Sequence, residues 1–228
     1  MGEQIILACG MRIALRRSSR ARRMTLRVPR DGGDAVLTLP SQVALAEGRA
    51  FAEMRRDWLM QAAARRPAPL LAEHGALLPV EGVPRRLVPA AVAAAQLQPD
   101  ALLLPARRAC GPVVQGFLRH LAHQRLCVAC DRHAARLGRA VRAITLRDTR
   151  SRWGSCTTGG RLMFSWRLAM APPEILDYVA AHEVAHLAHM DHSDRFWTAV
   201  ARLMPDYAPR RAWLRQHGGG LMAWKFRD

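Results

Sequence analysis

His182 and His186 stand four residues apart with Glu183 beside the first, and His192 follows ten residues after His182. On a helix, positions i and i+4 lie one above the other, so both imidazoles can reach a single ion. The glutamate between them is placed where a carboxylate can take a proton from a metal-activated water. A straight helix would carry His192 about 15 Å along its axis from His182, so the chain must turn back for the three to converge. Glycine makes such a turn in zinc hydrolases of this spacing. His189 holds that position here, and Asp191, tolerant of left-handed backbone, is the predicted turn residue. Three imidazole nitrogens with a fourth position left to water is the catalytic rather than the structural arrangement of zinc. The expected cofactor is therefore one zinc ion held by His182, His186 and His192. Core histidines on an amphipathic helix would account for each residue singly, but not for all three with the glutamate.

A second cluster competes for attention. His120, His123, Cys127, Cys130 and His133 fall on one predicted helix over about residues 112–137, opened by Gly111-Pro112. One helix presents two ligands to an ion but cannot wrap four around it, and no further Cys/His pair completes a tetrahedral site. Cys127 and Cys130, beside Leu and Val, read as buried thiols. Cys156 reads as structural as well.

The elements that must position the histidines follow from periodicity. Residues 5–8, 12–16, 24–28 and 35–39 are apolar or alternate, and breaks at Ser18-Ser19 and Asp31-Gly32-Gly33 separate them into strands. Met24, Leu26 and Val28 share one face, which leaves the neighbouring arginines on the other. Phe51, Met54, Trp58, Leu59 and Ala62 form a helical stripe within residues 43–66, with Trp58 expected in the core and Pro67-Ala68-Pro69 as the stop. Strands are expected at 76–80, 86–88 and 101–104. Residues 143–147 and 161–166 read as strands flanking Trp153-Gly154-Ser155-Cys156, and 161–166 is the predicted edge strand along which an extended substrate would pair. The histidine helix starts near Pro172-Pro173-Glu174. Ser193 is placed to cap the next helix, with Phe196, Trp197, Val200 and Leu203 as its apolar face. Pro205-Asp206-Tyr207 opens a short last helix, and Gly218-Gly219-Gly220 is expected to end it and free the tail.

Composition sets outer bounds. A chain of 228 residues suits one large domain or two small ones. No apolar run approaches the roughly 18 residues of a membrane span, and the N-terminus lacks a basic region ahead of its short apolar stretch, so a membrane or secretory reading is not expected. Five cysteines without a disulfide framework favour reduced thiols and the cytoplasm. The net charge is +17, but 34 of the 35 basic residues are Arg, a skew that nucleotide composition alone can produce. The charge is uneven: residues 1–30 hold eight Arg against one Glu. A surface that attracts polyanions, nucleotide or nucleic acid, follows physically; a specific site does not.

Three functions compete. A zinc-dependent peptidase uses Glu183 as general base against a polarised carbonyl. A metal-dependent nucleotide pyrophosphatase turns the same water on a phosphoanhydride, with arginines neutralising the phosphates, although no G-x-x-x-x-G-K-[ST] loop is present. A basic binding protein with structural zinc has no need of Glu183. The peptidase reading ranks first, with a peptide or protein as substrate.

The order Arg152-Trp153-Gly154-Ser155-Cys156, Trp166-Arg167-Leu168, Ala171-Pro172, Tyr178-Val179, His182-Glu183-x-x-His186, His192-Ser193-x-x-Phe196-Trp197, Pro205-Asp206-Tyr207 and Trp213-Leu214 resembles the YgjP-like zinc metallopeptidase-domain family, itself distantly related to SprT/Spartan-like proteases. The Arg-rich opening, Arg16-Arg17-Ser18 to Val28, is similar to that family too. The resemblance implies an α+β fold: a β-rich N-terminal part over 1–105 with one long helix, and a zincin-like catalytic part over 106–228 built on the HExxH helix. It implies zinc on His182, His186 and His192, with Glu183 as the catalytic carboxylate. Tyr207 and Arg152, each within a matching motif, become the candidates for stabilising the oxyanion.

Overall fold

The computed structural model describes residues 3–29, 33–64, 68–149 and 151–227. Residues 31 and 32 of the second predicted break, 65–67 at the end of the predicted helix and Arg150 lie outside the described residues. Two compact units emerge, Met1–Pro69 and Leu70–Asp228.

In the first unit, β1 (Gln4–Ile6), β2 (Arg12–Ser18), β3 (Thr25–Arg27) and β4 (Ala35–Pro40) form a sheet in the order β1-β2-β4-β3. The strands alternate. Ile5, Ile13, Ala35, Leu37 and Leu39 point inward and are buried, with Leu15 and Leu26 beside them. The predicted helix over 43–66 forms, but as two pieces, α1 (Leu45–Met54) and α2 (Arg56–Ala64), broken at Arg55. That break turns the expected stripe. Leu59 and Ala52 reach the core, whereas Met54 is 77% and Trp58 48% exposed, so Trp58 is not the core residue the spacing suggested. Gly48 is required where α1 meets the sheet, since a Cβ there would lie 2.8 Å from the Leu39 side chain.

The second unit begins with β5 (Leu70–Leu71), β6 (Leu77–Val80), β7 (Val83–Ala90), β8 (Gln96–Leu97) and β9 (Ala101–Pro105). β6 to β9 make a sheet in the order β6-β7-β9-β8. Its buried residues Leu78, Val80, Leu87, Leu102 and Leu104 share one core with the helices that follow. For that reason the compact units part at Pro69 and not at residue 105, where the sequence placed the boundary. The β6–β7 turn, Glu81-Gly82, has both residues at positive φ, and its amides donate to the carbonyls of Ala169 and Met170.

α3 (Cys110–Leu137) is a straight run of 28 residues ended by Gly138 in the left-handed region. β10 (Ala143–Arg147), β11 (Gly154–Cys156) and β12 (Arg161–Ser165) form a three-stranded sheet in the order β10-β12-β11. β10 runs parallel to β12, and β11 antiparallel. Hence β12, the predicted edge strand, is central; β10 and β11 are the edges. A 3-10 turn over Trp166–Met170 leads into α4 (Pro173–Ala185), followed by α5 (Asp194–Leu203) and α6 (Tyr207–Ala223). Gly218-Gly219-Gly220 does not end α6; the helix continues through it. Gly218 is needed because a Cβ would lie 2.9 Å from the Trp153 ring, while Leu214, Leu221 and Met222 bury the helix on either side. After α6, β13 (Trp224–Lys225) pairs in parallel with β5.

Arg167 locks this arrangement. Its buried guanidinium donates to both carboxylate oxygens of Asp148 and to the carbonyls of Leu221 and Trp224. The rings of Trp166 and Phe226 lie 4.7 and 5.3 Å from its charge. No helix among the described residues is long and apolar enough to cross a membrane.

Candidate metal centre

α4 carries His182 and Glu183 in its last turn, and His186 is its C-cap. Beyond it the amides of Leu187 and Ala188 bond back three residues, to Val184 and Ala185, which tightens the chain into a turn. No residue of this turn has positive φ, so Asp191 does not reverse the chain by left-handed backbone. Its carboxylate instead accepts from the amide and hydroxyl of Ser193, at 3.2 and 2.7 Å, which sets up the start of α5. The Ser193 hydroxyl is thereby used on Asp191 and does not cap the helix as expected.

The turn brings His192 back. Its Nε2 lies 3.3 Å from that of His182, and the ligand atoms of His182, His186 and His192 are all within 4.8 Å of one another. Two nitrogens each about 2.0–2.1 Å from a tetrahedral zinc would be about 3.4 Å apart, so the donor set fits that ion. The Nδ1–H of His186 donates to the carbonyl of His189 at 2.9 Å, which leaves Nε2 as its free donor atom. His189 thus contributes its backbone. Burial, reinforced by the neighbouring His186 and His192, lowers the pKa of His182 to about 3. Burial lowers His186 too, so both are neutral and available to a metal at neutral pH.

Aromatic rings wall the site. Phe196, fully buried, stacks on His186 at 4.3 Å between centroids, and Tyr178 and Trp197 lie against His182. Such a wall fixes ring orientation and excludes water.

Glu183 is buried, and burial raises its pKa to about 8 against the opposing charge of Arg152. Its seat is Gly154 on β11. A Cβ there would lie 2.6 Å from Glu183 Cγ and would also collide with Oε1. Tyr207, at the start of α6, stacks on Trp197 at 5.4 Å, and the Arg211 guanidinium covers the Trp197 ring at 4.3 Å. Arg152 and Tyr207 therefore approach the site from different elements: Arg152 through its charge on Glu183, Tyr207 through Trp197. Cys156, also on β11, has its thiol pushed up to about 11 by burial and by Glu183, which makes it unreactive at neutral pH.

The model of the YgjP-like metallopeptidase domain matches residues 22–217. The chain belongs to that family. No curated protein matches it. Among solved structures, the metallopeptidase zymogen of Pyrococcus abyssi abylysin is similar at 18% identity over 41% of this chain and 92% of that one, with a TM-score of 0.36. Family membership leaves the local geometry to the residues themselves. The spacing pointed to the three histidines that the fold gathers, with Glu183 beside them. Gly154 and Phe196 were visible only as parts of a motif, and the contribution of the His189 carbonyl had no signal in the sequence.

Proposed function

We propose that this chain is a zinc-dependent peptidase in which His182, His186 and His192 hold one zinc ion and Glu183 is the general base. The observation that carries the reading is the buried Glu183 carboxyl, seated on Gly154 beside three converging imidazoles. A structural metal site has no use for a buried acid at that position. When bound, zinc supplies Lewis acidity and a water whose pKa falls toward about 7. Glu183 accepts the proton of the attacking water on its carboxylate and returns it to the departing amine. Arg152 and Tyr207 are the two donors offered to the developing oxyanion. The substrate is an extended peptide laid against the free edge of β11, the strand that holds Gly154 beside the base.

The test measures zinc content and hydrolysis for the wild type and Glu183→Gln against unfolded proteins and, separately, nucleotides. The expected result is one zinc in each protein and protein cleavage by the wild type alone. Phosphate release from nucleotides without peptide cleavage would replace peptide with phosphoanhydride as the bond class. Equal activity in the variant would remove Glu183 from the mechanism.

A further inference from the structure

In the first compact unit the charges are segregated by layer. Residues 4–29, which make three of the four strands and their connections, hold seven arginines and no carboxylate. The helical stretch 44–64 holds three arginines and three carboxylates. A drift in nucleotide composition toward arginine acts on both layers alike, and so does not produce this difference.

The sheet geometry makes the excess into a surface. One face of the sheet is closed by α1 and α2 over Ile13, Leu37 and Leu39. Strand alternation sends Arg12 and Arg16 of β2 and Arg27 of β3 to the other face, where all three are exposed. Arg12 and Arg16 are about 13 Å apart along the strand. Arg27 pairs with Val36, and Val36 with Ala14, so Arg27 is level with the midpoint of that pair and about 10 Å across two strands. Thr38 is the cross-strand neighbour of Arg16, and Thr25 pairs with Thr38 on the next strand, which adds two hydroxyl residues to the same face. Among the described residues none of the three arginines has an ion pair; Asp34, one residue ahead of β4, is the carboxylate at the Arg12 end. Arg17 differs: alternation puts it on the opposite face, where it is exposed and donates to the carbonyls of Ser41 and Val43.

We infer that this open sheet face binds the phosphodiester backbone of a nucleic acid. Guanidinium forks match phosphate oxygens two at a time, and interleaved hydroxyls donate to phosphate and sugar. An anionic membrane is a poorer fit, because amphipathic membrane surfaces set aromatic or leucine side chains among their basic residues. Among the described strand residues this face offers no aromatic ring and no leucine; its exposed apolar side chain is Ile6, the cross-strand neighbour of Arg12. This inference is independent of the metal centre and would survive its failure.

The test uses the full, zinc-loaded chain and fluorescein-labelled 20-nucleotide DNA, single-stranded and as duplex, followed by anisotropy across a salt series. Arg12→Gln/Arg16→Gln/Arg27→Gln is expected to weaken binding at least tenfold near 0.1 M salt. It should also reduce the slope of log K against log salt by roughly 2 for the single strand or about 3 for the duplex. Arg49→Gln/Arg55→Gln/Arg56→Gln removes the same charge from the helical layer and is expected to change binding less than twofold. Lysine at the three sheet positions should restore most of the affinity, which separates lost charge from lost folding. Equal weakening by the two glutamine triples would overturn the inference, as would wild-type binding to poly-glutamate or to phosphatidylserine vesicles as tight as to DNA. Absence of DNA binding at 50 mM salt would overturn it too.

Discussion

α3 carries two histidines ten residues apart, His123 and His133, and the same interval separates His182 in α4 from His192 beyond it, yet the two pairs build opposite things. α3 stays straight, so His123 and His133 are separated by about 15 Å along its axis and face different surroundings. His123 lies 3.8 Å from the sulfur of Cys127. His133, almost fully buried, bonds through Nε2 to Asp177 at 2.7 Å. Burial pushes the thiol of Cys130 far up, which removes it as a ligand at neutral pH. The chain after α4 turns within a few residues, and the same ten-residue interval shrinks to 3.3 Å between ring nitrogens. Donor type and spacing are alike in the two helices. The reversal after His186 is what makes one of them a site.

The strongest way to break this contrast is to remove one donor from each helix. His186→Ala is expected to abolish both bound zinc, measured by atomic absorption, and hydrolysis; His123→Ala should change neither. Zinc lost from the second variant would make α3 a metal helix after all. Next comes the seat of the base. Gly154→Ala drives the Glu183 carboxylate from its position, and a misplacement near 1 Å is expected to cost about a hundredfold in kcat/KM while zinc content is unchanged. A variant at wild-type rate would show that the carboxylate is not held by that contact.

Smaller in effect is the Asp177 junction between the two helices. Burial alone would raise its pKa, but the bonds and charges of His133 and Arg132 outweigh it and hold the carboxyl below the usual range. A depressed carboxylate contributes stability above its unfolded pKa of about 3.9 and loses it as pH falls through the folded value. Asp177→Asn should therefore cost about 1–3 kcal/mol in denaturant titrations at pH 7, with the gap closing below pH 4. A gap that is the same at pH 3 and pH 7 would mean that charge plays no part there. Cys127→Ser is expected to do least: no change in zinc and less than about 0.5 kcal/mol in stability. A loss of zinc in this variant would restore the Cys-x-x-Cys of α3 as a ligand pair.

The contrast also shows what could be read from residues alone. The sequence placed α3 over about residues 112–137 and the start of α4 near Pro172-Pro173-Glu174, close to what is observed, and the interval from His182 to His192 required a turn that the chain makes. The mechanism of that turn was not legible, because it rests on tightened backbone bonds that any residue can make. Elements fixed by distant partners were misread. Gly218-Gly219-Gly220 looked like a helix breaker, and only the ring of Trp153 packed on Gly218 explains why glycine belongs inside α6. β12 was expected as the edge strand for substrate pairing, but β11 pairs with it on one side and β10 joins in parallel on the other, across an intervening segment. Trp58 followed a helical stripe that the break at Arg55 rotates outward.

The pairing of β5 with β13 brings together segments separated by most of the second unit. Bringing them together closes a loop of about 150 residues, so this contact carries a large entropic cost and depends on the intervening core to meet it. During synthesis β5 leaves the ribosome long before its partner strand exists. The histidine helix can form earlier, but the buried guanidinium of Arg167, which bonds the carbonyls of Leu221 and Trp224, must wait for the same late segment. Completion of this unit thus waits until residues 221–225 have been made.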